Sequence, residues 1–249
     1  MSIITKTDAE IDLMREPCAI VRDTLAFVGE RISAGMSTKE VDELAERFIR
    51  AAGAYPSCLG YGGFPASACV SVNEVVVHGI PDDKTILKDG DIVSVDLCAY
   101  KNGFHGDAAR TFLIGNVSEE KRLLVERTKE CFFKGIENLH AGTPLYDIGY
   151  RVQKYAESFG YGVIRSYTGH GIGREMHEDP AVPNYGRLGT GPRLKANTVI
   201  CIEPMISMGN YRVRILDDDW GAVTIDGSPA AHYENTVAVR EDGVEILTL

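Results

Sequence analysis

Four acids and three histidines in this sequence have the types and spacings that bind divalent cations and move protons. Asp96 ends the apolar run Ile92-Val-Ser-Val-Asp96, and Asp107 follows in His105-Gly-Asp107, on what reads as one hairpin. Glu203 ends a second apolar run, Val199-Ile-Cys-Ile-Glu203, and Glu234 follows in His232-Tyr-Glu234. An acid that interrupts an apolar strand is costly when buried without a partner. Each segment alone is equally compatible with an acid at a strand end facing water. Four carboxylates brought together repel unless protons or cations neutralise them, and cations are the natural answer. His170 lies among glycines in Tyr167-Thr-Gly-His-Gly-Ile-Gly173, where backbone can approach a ligand closely. His177 in Met176-His-Glu-Asp-Pro180 and His78 in Val75-Val-Val-His-Gly-Ile-Pro81 are further candidates. His105, His140 and His232 read as structural or merely exposed. Four acids and one histidine make an oxygen-rich site, suited to Mn, Fe or Co and unlike a sulfur-rich structural zinc set. Bridging carboxylates typically hold two ions about 3.5–4 Å apart, and a bridging water is then hydroxide near neutral pH.

The segments that carry these groups repeat along the chain. Leu87-Lys-Asp-Gly-Asp-Ile-Val-Ser-Val-Asp96 has its echo in Leu194-Lys-Ala-Asn-Thr-Val-Ile-Cys-Ile-Glu203, an offset of 203 − 96 = 107. Ala34-Gly35 and Gly53 recur as Ala141-Gly142 and Gly160 at the same offset of 107. The second acids, Asp107 and Glu234, are offset by 127, so an insertion of 20 residues is expected around Met208–Gly227, with the pattern of a hairpin. Shared offsets at separate landmarks predict two similar halves related by a pseudo-twofold axis, each bringing two strand-borne acids to matching places.

Capping boxes at Thr7–Glu10 and Ser37–Glu40 open two helices. The first is expected to run to about Ala34, with a late start or a kink at Pro17. The second runs from about Lys39 to Ala52, with Val41, Leu44, Ala45, Phe48 and Ile49 on one face. A third spans Ser118 to about His140. A fourth is expected to be capped by Thr143, with Pro144 at its first position and Gly160 at its end. Strands are expected at Ala68–Val77, Asp91–Ala99, Thr198–Ser207 and Thr236–Val239.

With 249 residues, 44% apolar and 25% charged, the chain has ordinary globular composition and enough length for a full core. Its net charge of −10 argues against nucleic acid as the main partner. No stretch reaches the apolar length of a membrane span, and the N-terminus lacks the apolar region of a secretory signal, so a cytoplasmic location without membrane attachment is expected. The six cysteines form no CxxC pair and read as free, buried thiols. Nothing demands a dimer, and a monomer of one domain over residues 1–249 is expected.

Together, Gly169-His-Gly-Ile-Gly-Arg-Glu-Met-His177, Val75-Val-Val-His-Gly-Ile-Pro81, Asp96, Asp107, Ile202-Glu-Pro-Met205 and Tyr233-Glu-Asn-Thr236 resemble the bacterial, type I methionine aminopeptidases. The resemblance covers the chain from about Thr7 to Val239. It implies the α+β pita-bread fold, two pseudo-twofold halves around a dinuclear centre, in agreement with the repeat. It further implies that Asp96 binds one divalent ion through both oxygens, that Asp107 and Glu234 bridge two ions, and that His170 and Glu203 complete the second ion's shell. The ions would be Co, Mn, Fe(II) or Zn. Glu203 is implied also as the proton shuttle from water to leaving amine. His177 would stabilise the developing oxyanion of the substrate carbonyl, and His78 would steady the scissile amide nitrogen and the tetrahedral intermediate.

The implied reaction releases methionine from nascent polypeptide N-termini and favours a small second residue, which the chain's own Met1-Ser2 start would satisfy. The matching positions of the methionine slot are Cys58, Tyr61, Phe64, Cys69, Met176 and Trp220. Phe64 stands where relatives often carry tyrosine, and Met176 where they often carry phenylalanine; both stay apolar. Asn73 and Val75 match carbonyls that bind a monovalent cation in relatives, with the third position at Ala230. Creatinases and prolidases share the ligand set and fold, but they normally carry an extra N-terminal domain for which this chain has no room. A binding-only member of the fold would be expected to have lost ligands. Transient contact with the ribosome is left open: Arg212 and Arg214 sit in the insertion, but Asp217–Asp219 follow and no basic docking surface is evident.

Overall fold

A computed structural model describes residues 3–249, so the Met1-Ser2 start lies outside the described residues. In chain order the first half holds α1 (Asp8–Gly29), α2 (Thr38–Ala51), β1 (Tyr55–Pro56), β2 (Cys69–Val72), β3 (Val75–Val77), β4 (Ile92–Lys101) and β5 (Phe104–Leu113). The second half holds α3 (Glu119–Ile136), α4 (Tyr146–Glu157), β6 (Gly162–Val163), β7 (Gly169–Gly171), β8 (Glu178–Val182), β9 (Val199–Ile202) and β10 (Met205–Ser207). The chain closes with β11 (Val213–Ile215), β12 (Ala222–Thr224), β13 (Ala230–His232), β14 (Asn235–Arg240) and β15 (Gly243–Ile246). No helix among the described residues is long and apolar enough to cross a membrane.

Each half packs a helix pair on the outer face of a sheet. The period of two along β4 sends Val93, Val95, Leu97 and Ala99 into one core with Val21, Leu25 and Val28 of α1 and Val41, Ala45 and Ile49 of α2. The alternate residues Ser94, Asp96 and Cys98 therefore point the other way, toward the second half. In β9, Ile200 and Ile202 pack with Phe132, Leu145, Ile148, Val237 and Val239. Cys201 and Glu203 then point inward. Burying each large aliphatic side chain of these two cores contributes about 1.5–3 kcal/mol, and this holds the acids on inner faces they would otherwise avoid.

The repeat is visible in the hydrogen bonds. Gly35 N donates to Leu87 O and Leu87 N to Met36 O; Gly142 N donates to Leu194 O and Leu194 N to Thr143 O, each partner displaced by 107. The isolated bridges Ser37–Ile86 and Pro144–Arg193 share that displacement. The expected insertion is a hairpin in which β11 pairs antiparallel with β12, and β12 continues onto β3.

Several boundaries differ from expectation. Pro17 neither delays nor ends α1, which runs from its Thr7–Glu10 capping box to Gly29. The carbonyl that Pro17 deprives of its helical partner belongs to Leu13, an exposed residue that water can reach. The helix stops short of Ala34 as Arg31 N and Ile32 N both turn back to Val28 O. The third helix ends at Ile136, where Glu137 caps it and Asn138 turns left-handed (φ 58°). Thr143 does not cap α4: its hydroxyl accepts from His140 N, and the helix begins after Leu145. The run 68–77 splits into β2 and β3 at Asn73, which is left-handed (φ 50°), and 198–207 splits into β9 and β10 at Glu203-Pro204.

Candidate metal centre and adjoining pocket

The register places the acids. Asp96 lies opposite Ala109, and Cys98 opposite Asp107, so the two aspartates are diagonal neighbours on the inner face of the β4–β5 hairpin. The last paired residues of β9 and β14 are Ile202 and Asn235, which sets Glu203 and Glu234 across from each other one step further on. The halves are stitched together at this point. Asp107 N donates to Thr236 Oγ1 (3.0 Å), that hydroxyl donates to Asp107 O (2.8 Å), and Glu234 N donates to Ala109 O (3.0 Å).

His170 reaches the acids from β7. Its Nε2 is 3.7 Å from Glu203 Oε1, and its Nδ1 is 2.8 Å from Gly171 O. A carbonyl only accepts, so Nδ1 carries the proton and Nε2 presents a lone pair to the acids. The glycines beside His170 serve the neighbouring strands rather than a ligand. A Cβ at Gly169 would lie 2.2 Å from Cys201 O, and one at Gly171 would lie 2.2 Å from Asp179 O. Only glycine lets β7 thread between β8 and β9.

Ligand-type atoms of Asp107, His170, Cys201 and Glu234 lie within 4.8 Å of one another. Asp96 and Glu203 fall outside that tightest group but line the same cavity of about 140 Å³ with Asp107, His170 and Glu234. Burial pushes Asp96 up to about 7. Burial and then the neighbouring carboxylates push Asp107, Glu203 and Glu234 well above the usual range. Asp107 Oδ1 and Glu234 Oε1 are buried without a hydrogen-bond partner. Each such orphan costs about 1–3 kcal/mol. Burial drives His170 down to about 3, the neutral form a metal requires. Clustered carboxylates that resist ionisation, orphaned oxygens and a neutral imidazole with its lone pair aimed inward fit divalent metal. Cys201 fits less well: burial and then Glu234, Asp107 and Glu203 hold its thiol well above its ordinary range, protonated beside hard oxygen donors.

All six expected slot residues come together. Cys58, Tyr61, Phe64, Cys69, Met176 and Trp220 line a cavity of about 170 Å³, and His78, His177, Asp96 and Asp107 complete its wall. Cys69 is in the slot because β2 pairs it directly with Asp96. Phe64 and Trp220 meet edge to face at 5.1 Å between ring centroids, so the insertion does contribute to the slot. His78 is left-handed (φ 59°), which costs free energy for any residue but glycine and turns its ring edge-on to Tyr167. Burial lowers the pKa of His78 to about 4. His105 and His140 keep the structural reading. Nδ1 of His105 is 2.9 Å from Ser57 Oγ, and His140 is exposed with its Nδ1 on Ala141 O.

His232 departs from that reading. It is 1% exposed, its Nε2 is 3.8 Å from Glu203 Oε2, and neither ring nitrogen has a partner. The signal in the sequence was its spacing of two from Glu234. His105 has the same spacing from Asp107 yet turns to Ser57, so spacing alone does not separate the two. Tyr167, Cys98 and Cys201 at or beside the site were likewise not singled out. All six cysteines are free, as expected.

Residues 12–241 match metallopeptidase family M24. A methionine aminopeptidase of Clostridium acetobutylicum is 56% identical over 247 residues, covering 99% of this chain and 99% of its own length. The crystal structure of methionine aminopeptidase from Rickettsia prowazekii is similar at TM-score 0.98 and 41% identity, with 100% of both chains covered. Prolidase from Pyrococcus furiosus is similar at TM-score 0.78 and 26% identity, but this chain covers 66% of that one. The chain belongs to metallopeptidase family M24 and has the pita-bread fold.

Proposed function

We propose that this chain hydrolyses the first peptide bond of polypeptides that begin with methionine. The observation that carries this reading is the shared wall of the two cavities. His78, His177, Asp96 and Asp107 border both the apolar slot and the carboxylate cluster. A methionine side chain seated among Cys58, Phe64, Cys69, Met176 and Trp220 thereby brings its own carbonyl to the acids. Tyr61 edges the mouth of the slot beside His177.

Asp96, Asp107, His170, Glu203 and Glu234 would hold two divalent ions, drawn from Co, Mn, Fe(II) or Zn. Such ions supply Lewis acidity, stabilising developing negative charge and acidifying water. His177 donates from Nε2 to the substrate carbonyl, and His78 steadies the scissile amide nitrogen. Glu203 takes the proton of the attacking water and delivers it to the leaving amine. A free α-amine would meet this centre through its neutral lone pair on an ion or, if protonated, through a carboxylate, and either contact restricts cleavage to chain ends. We also propose a monovalent cation at the carbonyls of Asn73 and Val75. The hydrogen bond from Ala230 N to Asn73 O (2.9 Å), which brings the third position alongside, supports it. In this reading residues 1–249 act as one catalytic unit, monomeric and cytoplasmic, on the N-termini of nascent chains.

The test is metal-free protein with a Met-Ala-Ser peptide, titrated anaerobically with Mn, Fe(II), Co and Zn. Methionine release should appear with added metal, and no turnover with any of the four would sink the proposal.

A further inference from the structure

The carboxylate of Glu203 sits between two imidazoles. His170 Nε2 faces Oε1 at 3.7 Å, and His232 Nε2 faces Oε2 at 3.8 Å while also lying 3.9 Å from Glu234 Oε2. The two rings differ in what fixes them. Bonding of His170 Nδ1 to Gly171 O leaves Nε2 a lone pair and makes that nitrogen a ligand. His232 has no partner on Nδ1, so nothing commits its Nε2 to the lone-pair form. Two carboxylate oxygens facing one nitrogen favour the form that donates a proton to them. The backbone of His232 is clamped at the junction of the halves. Its N donates to Thr111 Oγ1 (3.0 Å), its O accepts from the same hydroxyl (2.9 Å), and that hydroxyl lies 2.8 Å from Ser94 Oγ.

We infer that His232 is a positioning residue of the metal centre. Its Nε2 lies 3.8 Å from Glu203 and 3.9 Å from Glu234, beyond hydrogen-bond length but close enough that a small closure of the metal-loaded centre lets Nε2–H be shared between the two acids and set their aim. The inference rests on the metal-centre reading above. A partner of this kind beyond the ligands typically changes metal affinity by about 10–100-fold.

The test is anaerobic titration of metal-free protein with Co(II), with affinity read by calorimetry. The ligand set is read by the strongly contact-shifted, exchangeable imidazole N–H resonances in the proton spectrum. The wild type should show one such resonance, from His170. His232→Leu should bind Co(II) about 10–100-fold more weakly, keep that resonance, and melt without metal at or above the wild-type midpoint. His232→Gln, which keeps an N–H donor, should recover affinity to within a few-fold of wild type. Unchanged affinity in His232→Leu would overturn the inference. So would a second shifted resonance in the wild type, which would make His232 a ligand, or a metal-free His232→Leu that melts early, which would make its role structural. A wild-type chain that takes up no Co(II) would overturn the metal centre itself, and this inference with it.

Discussion

Tyr61 Oη lies 2.7 Å from His177 Nδ1, with the two rings tilted at 46° and their centroids 5.0 Å apart. A phenol donates readily, and a hydrogen bond accepted by Nδ1 leaves the imidazole proton on Nε2. That is the form His177 needs to hydrogen-bond a substrate carbonyl. Tyr61→Phe keeps the ring at the slot and removes the hydroxyl. Steady-state kinetics on Met-Ala-Ser should show kcat lowered by about tenfold, or about 1.4 kcal/mol, with KM little changed. A variant altered in KM alone would show that Tyr61 only shapes the slot.

Asp96→Asn keeps the shape of the side chain and removes its charge. Asparagine lacks the second anionic oxygen that a cation engages, so metal content and turnover should fall together. Elemental analysis beside a peptide assay tests this, and an active, metal-replete variant would contradict the ligand assignment.

Without metal, the centre should make stability depend on pH in a defined direction. Asp96, pushed up to about 7, and Asp107, Glu203 and Glu234, also raised, favour folding fully only below the ordinary carboxylate range. They lose that stabilisation as pH rises through their folded values, which for Asp96 is near neutrality. Burial lowers His78 to about 4 and His170 and His232 to about 3, so their contribution is complete above the ordinary histidine value and fades only below it. Between about pH 7.5 and pH 8.5, a unit or more above the ordinary histidine value, the histidine contribution is nearly constant and the acids set the slope. The melting midpoint in EDTA should therefore fall across this window, and saturating Mn(II) should flatten it. A rising midpoint in EDTA would refute the assignment of these shifts.

The second residue of the substrate is expected to meet a tight site, because the slot and the acid cluster share the wall formed by His78, His177, Asp96 and Asp107. Met-Ala-Ser should be cleaved at least about tenfold faster, by kcat/KM, than Met-Leu-Ser, since an added side chain that must be accommodated costs on the order of 1–3 kcal/mol. Equal turnover of the two peptides would remove the small-residue preference.

What the sequence disclosed follows from what repeats locally. The strand period and the capping boxes rest on near neighbours, the 107-residue offset on short segments that resemble each other, and each is present in the folded chain. The partners of the acids were legible because β4 and β9 are strands whose other face is plainly apolar. His232 was not legible, because Thr111 and Glu203, supplied by two other segments, fix it beside the acids, and its spacing of two from Glu234 alone does not. Pro17 misled for the same kind of reason: whether a helix tolerates proline depends on whether Leu13 O meets water, which only packing decides.

The glycines of the His170 loop yield the last prediction. A methyl group at Gly169 would lie 2.2 Å from the carbonyl of Cys201, an atom fixed in the β9 ladder between β7 and β14. Strand and helix core hold that carbonyl on one side, and Val182 of β8 lies 3.2 Å from the same added carbon. Relief therefore has to come from β7, and β7 carries His170. Gly169→Ala should lose about 2–4 kcal/mol by urea denaturation, at or above the usual cost of overpacking, and should bind metal weakly even where it folds. Gly243→Ala is the control, since an added carbon there meets nothing within 4 Å. Its urea midpoint and metal content should match the wild type. If the two variants are equally stable and metal-replete, the close packing of β7 is not what places His170.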